Sequence, residues 1–198
     1  MTSDYPATYG PRFWDQLSSG SHRNLMLKMA EALNDTFHPH TVLEVGCGNG
    51  ALLSYFDAHG VSADGWEHPM AKVDPGIAVW RFDLNMLGDV NMDMRTFGNY
   101  DLVVCIELAE HLQPSTGPGL VRTLTKMAHD VVWFSAAIPG QGGDGHVNER
   151  PPQYWDARFK ECGFVRDEET TAKVRELYEP AVGTEWWYRN CRVYRRQG

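Results

Sequence analysis

The chain has 198 residues, with 26 acidic and 18 basic side chains and a formal net charge of −8 when histidine is neutral. Hydrophobic types make up 42% and charged types 22%, the balance of a globular chain long enough to bury its own core. The acidic surplus counts against general nucleic-acid binding, which needs clustered Lys and Arg to displace phosphate counterions, although Arg189, Arg192, Arg195 and Arg196 gather near the C-terminus. No apolar run approaches the roughly 20 residues that span a bilayer. Met1 to Gly20 lacks the basic start and apolar centre of a signal peptide. The four cysteines, Cys47, Cys105, Cys162 and Cys191, are dispersed without a C-x-x-C pair. Free thiols in a reducing compartment follow, so the expected location is the cytoplasm, with no membrane partner.

The first 40 residues open on a polar, aromatic stretch. Tyr9 and Trp14 lie there, as candidates to contact substrate and to close over a site as a lid. Leu25, Met26, Met29, Ala30 and Leu33 recur at helical spacing, and the helix should end at the Phe37-His38-Pro39-His40 break. His38 and His40 have no third ligand type nearby, so they read as a surface turn and no metal site is expected. Thr41-Val42-Leu43-Glu44-Val45 reads as a buried strand running into Gly46-Cys47-Gly48-Asn49-Gly50, and Ala51 to Phe56 as a helix stopped by Gly60. Further strands are expected at Val61 to Glu67, Ala78 to Phe82, Tyr100 to Ile106 and Val131 to Ser135, with a helix marked by Leu120, Val121, Leu124, Met127 and Ala128.

Short apolar runs alternating with helical periods argue for a parallel sheet covered on both faces. After Ser135 the texture changes. Pro139 to Gly145 carries four glycines and reads as a long surface loop. Tyr154, Trp155, Arg158, Phe159 and Cys162 suggest one more helix closed by Gly163, and Trp186 to Tyr194 alternates like a strand. With no repeat, linker or low-complexity tract, residues 1–198 are expected to form one domain.

A strand, then Gly46-x-Gly48-x-Gly50, then a helix is a nucleotide-binding turn. Glycine lets the chain turn sharply and lets a ligand touch the main chain where a Cβ would stand. Glu67 ends the second strand, where a carboxylate can accept both hydroxyls of a ribose. Gly46-x-Gly48-x-x-Ala51 also satisfies the looser dinucleotide fingerprint, so the glycines alone leave a nicotinamide cofactor open.

The wider set of residues is more specific. Val42 to Gly50, with Glu44 two positions before the first glycine, resembles the first motif of class I S-adenosylmethionine-dependent methyltransferases. A carboxylate there suits a cofactor with an amino-acid tail and a sulfonium charge and would repel a pyrophosphate. Phe82-Asp83-Leu84 resembles the family's third-strand end, where an acidic side chain meets the adenine amino group and the next amide meets the ring. Asp101 to Leu112 is similar to the fourth strand and its E-x-x-E-H turn. Phe134 to Gly143, Gly145 to Glu149, Tyr154-Trp155, Trp186 to Asn190, Phe13-Trp14 and Ser19 to Ser21 resemble a bacterial and phage-associated subgroup, so the likeness covers nearly the whole chain. It implies an α/β, doubly wound Rossmann-like sheet of about seven strands with the last antiparallel and helices on both faces. It implies S-adenosyl-L-methionine as cofactor, held by Glu44, Gly46, Cys47, Gly48, Asn49, Glu67, Asp83, Leu84 and Glu107. It names no acceptor.

Methyl transfer from a sulfonium is a direct displacement, so alignment carries much of the catalysis, and a hydroxyl acceptor also gains from a base. His146, just after the glycine-rich loop at the ligand end of the sheet, is the first candidate for that base. His111, in the turn after the fourth strand, is the second. Asn148 and Glu149 are candidates to orient His146 or to bind substrate, with ordinary loop and helix-capping polarity before Pro151 the competing reading for Glu149. There is no Asn/Asp-Pro-Pro-Tyr/Phe after the fourth strand, where amine-directed nucleic-acid enzymes carry it; Ile106-Glu107-Leu108 stands there. Cys105 lies within a strand and is no nucleophile. The expected activity is methylation of a small molecule, at a hydroxyl oxygen of a sugar or secondary metabolite, without nucleic acid. The alternatives are an amine or a macromolecule as acceptor, or a non-catalytic cofactor-binding module, with monomer and homodimer both open.

Overall fold

The computed structural model describes residues 20–88, 98–177 and 189–198; Tyr9, Trp14, Trp186, Trp187 and Tyr188 lie outside the described residues. In chain order the elements are α1 (Gly20–Phe37), β1 (Thr41–Val45), α2 (Ala51–Ala58), β2 (Ser62–Glu67), β3 (Val79–Arg81), a 3-10 turn (Leu84–Gly88), β4 (Tyr100–Cys105), α3 (Gly117–Met127), β5 (Ala128–Phe134), α4 (Pro152–Glu161), β6 (Phe164–Asp167), α5 (Glu168–Leu177) and β7 (Arg192–Arg196). The strands form one sheet in the order β3-β2-β1-β4-β5-β7-β6. β1 pairs parallel with β2 and β4, β2 with β3, and β4 with β5, whereas β7 runs antiparallel to both β5 and β6. This is the doubly wound sheet with an antiparallel last strand that the motifs imply.

Both faces of the central strands are buried, which is why they read as unbroken apolar runs instead of alternating ones. Val42, Leu102, Val104, Trp133 and Val193 point to the face covered by α1 and α2 through Met29, Leu33, Leu52 and Phe56. Leu43, Val103, Cys105, Phe134 and Tyr194 point to the other, covered by α3 and α4 through Leu120, Leu124, Trp155 and Phe159. Trp155 is core, as its spacing suggested. All four cysteines are free, and burial pushes the Cys47 and Cys105 thiols up and that of Cys191 up to about 12, so these three are packing groups and not nucleophiles.

Three features differ from the sequence reading. β6 and α5 were not anticipated: Phe-Val-Arg-Asp is a short edge strand with two charges, and α5 buries only Thr171 and Val174, so neither carries a clear period. The last strand begins at Arg192, later than the expected Trp186. Arg175 Nη2 donates to the carbonyls of Arg189 (2.8 Å) and Cys191 (2.6 Å), and Asn190 Nδ2 donates to Gln141 (2.8 Å), which ties down the preceding stretch before the ladder starts. Finally, the C-terminal arginines staple the fold together. Arg192 is buried and donates to the Asn190 carbonyl. Arg195 bridges Asp130 (2.9 Å) and Asp167 (2.8 Å), and Arg196 donates to the carbonyls of Thr125, Ala128 and His129. Among the described residues no helix is long and apolar enough to cross a membrane.

Phe159 joins α4 to the antiparallel strand, stacked on Tyr194 with ring centroids 3.8 Å apart and edge-on to Phe134. It is 0% exposed. Phe159→Ala is expected to destabilise by about 3–5 kcal/mol, read as a lower urea midpoint with an unchanged slope.

Candidate active site

The site lies at the carboxyl ends of the parallel strands, where the chain must leave the sheet. β1 ends at Val45, and the loop is stitched to its neighbour by N–H groups of Gly46 (2.8 Å) and Cys47 (3.3 Å) donating to the Trp66 carbonyl. Gly46 has φ +80°, and a Cβ there would lie 2.9 Å from the Leu108 side chain. Only glycine therefore lets the turn after β4 pack on this loop. Asn49 is buried, its Oδ1 accepting the Ala51 N–H at the start of α2 (3.1 Å) and its carbonyl the Asp74 N–H (2.9 Å). Cys47 is buried with its sulfur against Gly65. Of the four loop residues expected to hold the cofactor, Gly46, Cys47, Gly48 and Asn49, the side chains of Cys47 and Asn49 thus serve the fold and the main chain is what remains for a ligand.

Two acidic side chains, Glu44 and Glu67, are buried around this loop, and Asp83 is half-buried. Glu44 Oε2 has no hydrogen-bond partner, and burial, with the like charge of Glu67, pushes its carboxyl well above the usual range. Glu67 Oε2 accepts the Gly48 N–H (2.7 Å) and Oε1 the His68 N–H (2.6 Å), yet burial still raises it to about 7. Asp83 Oδ1 accepts the Asn85 N–H (2.9 Å), opening the 3-10 turn in which Leu84 is buried.

The fourth strand supplies the other half. Glu107 has φ +49°, a left-handed backbone costing on the order of 1–3 kcal/mol for a side chain of this kind. It is held there by Ser135 at the end of β5, whose Oγ accepts the Glu107 N–H (3.0 Å) and donates to Glu107 Oε1 (2.7 Å). Ser135 was missed by the sequence reading; its only signal is its place at the end of the strand next to β4. Glu110 is fully buried. Its Oε1 accepts the Ala137 N–H (3.1 Å) and its carbonyl accepts the N–H groups of Val147 (2.9 Å) and Asn148 (3.0 Å), while burial and then the Glu107 charge push its carboxyl well up.

These bonds fold the loop after β5 back onto the turn after β4, bringing His146 to His111. Their rings meet edge to face with centroids 4.9 Å apart. His146 Nδ1 lies 3.0 Å from Glu149 Oε1, and Glu149 also accepts the N–H groups of Gly140 (2.8 Å) and Gly142 (2.7 Å). The His146 hydrogen bond holds the Glu149 carboxyl below its usual range. A Cβ at Gly143 would collide with the His146 ring, so this glycine is what admits the imidazole. Burial lowers His111 to about 4, so it is neutral at pH 7. Among the described residues, one ligand atom each from Glu110, His111 and His146 lie within 4.8 Å of one another. His38 and His40 are exposed, away from this cluster.

Asn148, expected to contact substrate, is instead buried with its amide engaged at both ends: Nδ2 donates to the Ala109 carbonyl (3.0 Å) and Oδ1 accepts from Arg150 Nε (2.9 Å). It clips the loop to the β4 turn.

A glycine loop ringed by buried carboxyl groups, facing two imidazoles across the ends of β1 and β4, defines a class I S-adenosylmethionine-dependent methyltransferase. A family model described as a methyltransferase domain matches residues 16–177, and the chain belongs to that family. No curated protein sequence matches the chain. Among solved structures, the fold is similar to that of CalS10, an amino pentose methyltransferase from Micromonospora echinaspora (TM-score 0.67, 15% identity, covering 94% of this chain and 96% of that one). It is similar to DesVI from Streptomyces venezuelae (0.67, 12%, 93% and 97%) and to the sugar N-methyltransferase KedS8 from Streptoalloteichus sp ATCC 53650 (0.64, 13%, 94% and 92%).

The donors present fit this cofactor. Glu44 offers a buried, unpartnered oxygen for a cationic tail, and Glu67 offers acceptor capacity for ribose hydroxyls beyond the two N–H groups it already holds. A carboxylate accepts two hydroxyls only when ionised, and burial pushes the Glu67 carboxyl up to about 7. Affinity for S-adenosylhomocysteine is therefore expected to be full above pH 7 and to weaken by up to about tenfold per unit below it, as measured by calorimetric titration at pH 6, 7 and 8. Glu67→Ala is expected to weaken binding by about 1.5–3 kcal/mol and to flatten this profile.

Proposed function

We propose that the chain, acting as one domain, methylates a hydroxyl oxygen of a small molecule, a sugar or secondary metabolite. The observation that carries this reading is the His146–Glu149 pair facing His111 beside the cofactor loop. When bound, S-adenosylmethionine supplies an electrophilic methyl, and its transfer to a hydroxyl oxygen leaves neutral S-adenosylhomocysteine and one released proton. Glu67 holds the ribose, Asp83 and Leu84 the adenine, Glu44 and Glu107 the amino-acid end, and the main chain of Gly46, Cys47, Gly48 and Asn49 lines the loop. With Nδ1–H directed at Glu149, the His146 Nε2 lone pair is the one left to take the acceptor's proton. His111 presents a second imidazole to the same acceptor. Asn148 is a positioning residue that sets the loop bearing His146.

Tyr9 and Trp14 are assigned to the acceptor side, carried by the N-terminal segment as it closes. Limited proteolysis with and without cofactor tests this; unchanged cleavage before Gly20 would overturn it. The unpaired thiols suit the reducing cytoplasm. The stapling of Arg192, Arg195 and Arg196 into the fold argues against a polyanionic acceptor.

A second reading, methylation of an amine, draws support from the fold's likeness to enzymes described as acting on amino sugars. An amine that arrives uncharged needs less from a base. His146→Ala is expected to lower kcat/KM for a hydroxyl acceptor by roughly 10²–10⁴-fold while S-adenosylhomocysteine still binds. Turnover of amino sugars with His146→Ala near the wild-type rate, and none of hydroxyl acceptors by the wild type, would favour the amine.

A further inference from the structure

We infer that Glu110, His111 and His146 form a site for one divalent first-row transition-metal ion, which binds the oxygen of the acceptor. The second half of this statement rests on the hydroxyl acceptor proposed above, and with the ion bound it replaces direct proton uptake by His146, whose Nε2 is then a ligand. Protein ligands stand about 2.0–2.2 Å from such an ion, so two of them are at most about 4.4 Å apart. The three candidate ligand atoms already lie within 4.8 Å of one another, and a small rotation of one ring closes the set.

The surroundings are built as a ligand set requires. An imidazole that binds metal through one nitrogen donates its other N–H to a carboxylate or carbonyl. His146 Nδ1 has Glu149 at 3.0 Å, and His111 has a main-chain hydrogen bond with Gly145. Glu110 has one oxygen fixed by the Ala137 N–H, and its carboxyl, in a side chain that is 0% exposed, is set against that of Glu107, a contact that two ionised carboxylates could hold only with a cation or a shared proton. The loop carrying His146 is fastened to the ligands' own turn through Glu110 O and Ala109 O.

A direct base needs one imidazole with its orienting carboxylate. It leaves unexplained a second imidazole in ring contact and a buried carboxyl set against that of Glu107. Two imidazoles and a carboxylate suit Mn, Fe, Co or Zn better than Mg or Ca, and three protein ligands leave positions open for an oxygen of the acceptor. On such an ion the hydroxyl becomes more acidic. Its proton leaves to solvent, its oxygen forms the bond to the methyl carbon as the carbon–sulfur bond breaks, and the ion keeps its oxidation state.

The test uses the full chain, stripped with EDTA and titrated with MnCl2 and CoCl2 by calorimetry, with electron paramagnetic resonance of Mn²⁺ as a second readout. One ion per chain is expected, lost in His111→Ala and His146→Ala. Glu149→Gln, which keeps all three ligands, is expected to weaken binding roughly 10–100-fold. Thermal melting and S-adenosylhomocysteine binding report that each variant is folded. Binding of neither ion at this stoichiometry, or equal binding by wild type and variants, overturns the site. Methylation of a hydroxyl acceptor that persists unchanged in EDTA overturns the ion's role and leaves His146 as the direct base. Ion binding without binding of S-adenosylhomocysteine keeps the site and overturns the proposed function.

Discussion

Glu44, Glu67 and Glu110 are buried at the ends of β1, β2 and just past β4, and the half-buried Glu107 lies beside them. Main-chain N–H groups satisfy part of this charge: Gly48 and His68 for Glu67, Ala137 for Glu110. They do not satisfy all of it, and burial raises each carboxyl above its ordinary range. For Glu67 the rise from 4.5 to about 7 amounts to roughly 3 kcal/mol of preference for the neutral form. A group whose folded pKa is raised contributes stability below about pH 4.5, and that contribution is lost as the pH climbs through 7. The hydrophobic sheet must therefore hold these groups in place against their own solvation. The same imbalance makes the strand ends receptive to a cation and to hydroxyl donors.

The two halves of the site depend on backbone that only particular residues permit. Gly46 lets Leu108 pack on the loop after β1, and Gly143 leaves room for the His146 ring. Glu107 adopts a left-handed conformation that Ser135 holds through two reciprocal hydrogen bonds. Glu149 then gathers two glycine N–H groups and the His146 imidazole on one carboxylate, so a glycine-rich loop is closed by its own polar residues. Rigid strands with loops bonded to one another are the means by which the sheet positions groups at its carboxyl ends.

The antiparallel edge shows the same economy. β7 lies between β5 and β6, and Arg195 reaches a carboxylate on each side, Asp130 of β5 and Asp167 of β6. These half-exposed pairs contribute little individually. What they do accomplish is to occupy a basic cluster that a linear reading leaves free for a polyanion.

The glycine loop with its acidic partners, five of the seven strands and the helices on either side were legible in the sequence, because they depend on local conformation and on burial period. The last strand was legible too, though its start was not, since hydrogen bonds from Arg175 and Asn190 set it. β6 and α5 were illegible because an edge strand and a polar helix bury too little to leave a pattern. His111 and His146 were individually suspect, but their contact, the role of Ser135 and the convergence of Glu110 on both rings came from pairing β4 with β5. Asn148 shows the limit most plainly. Its residue type suited a substrate contact, yet the folded loop engages both ends of its amide internally. Sequence determines which groups can do chemistry; which of them meet, and which are consumed in holding the others, is decided by long-range packing, because those contacts join residues far apart in the chain.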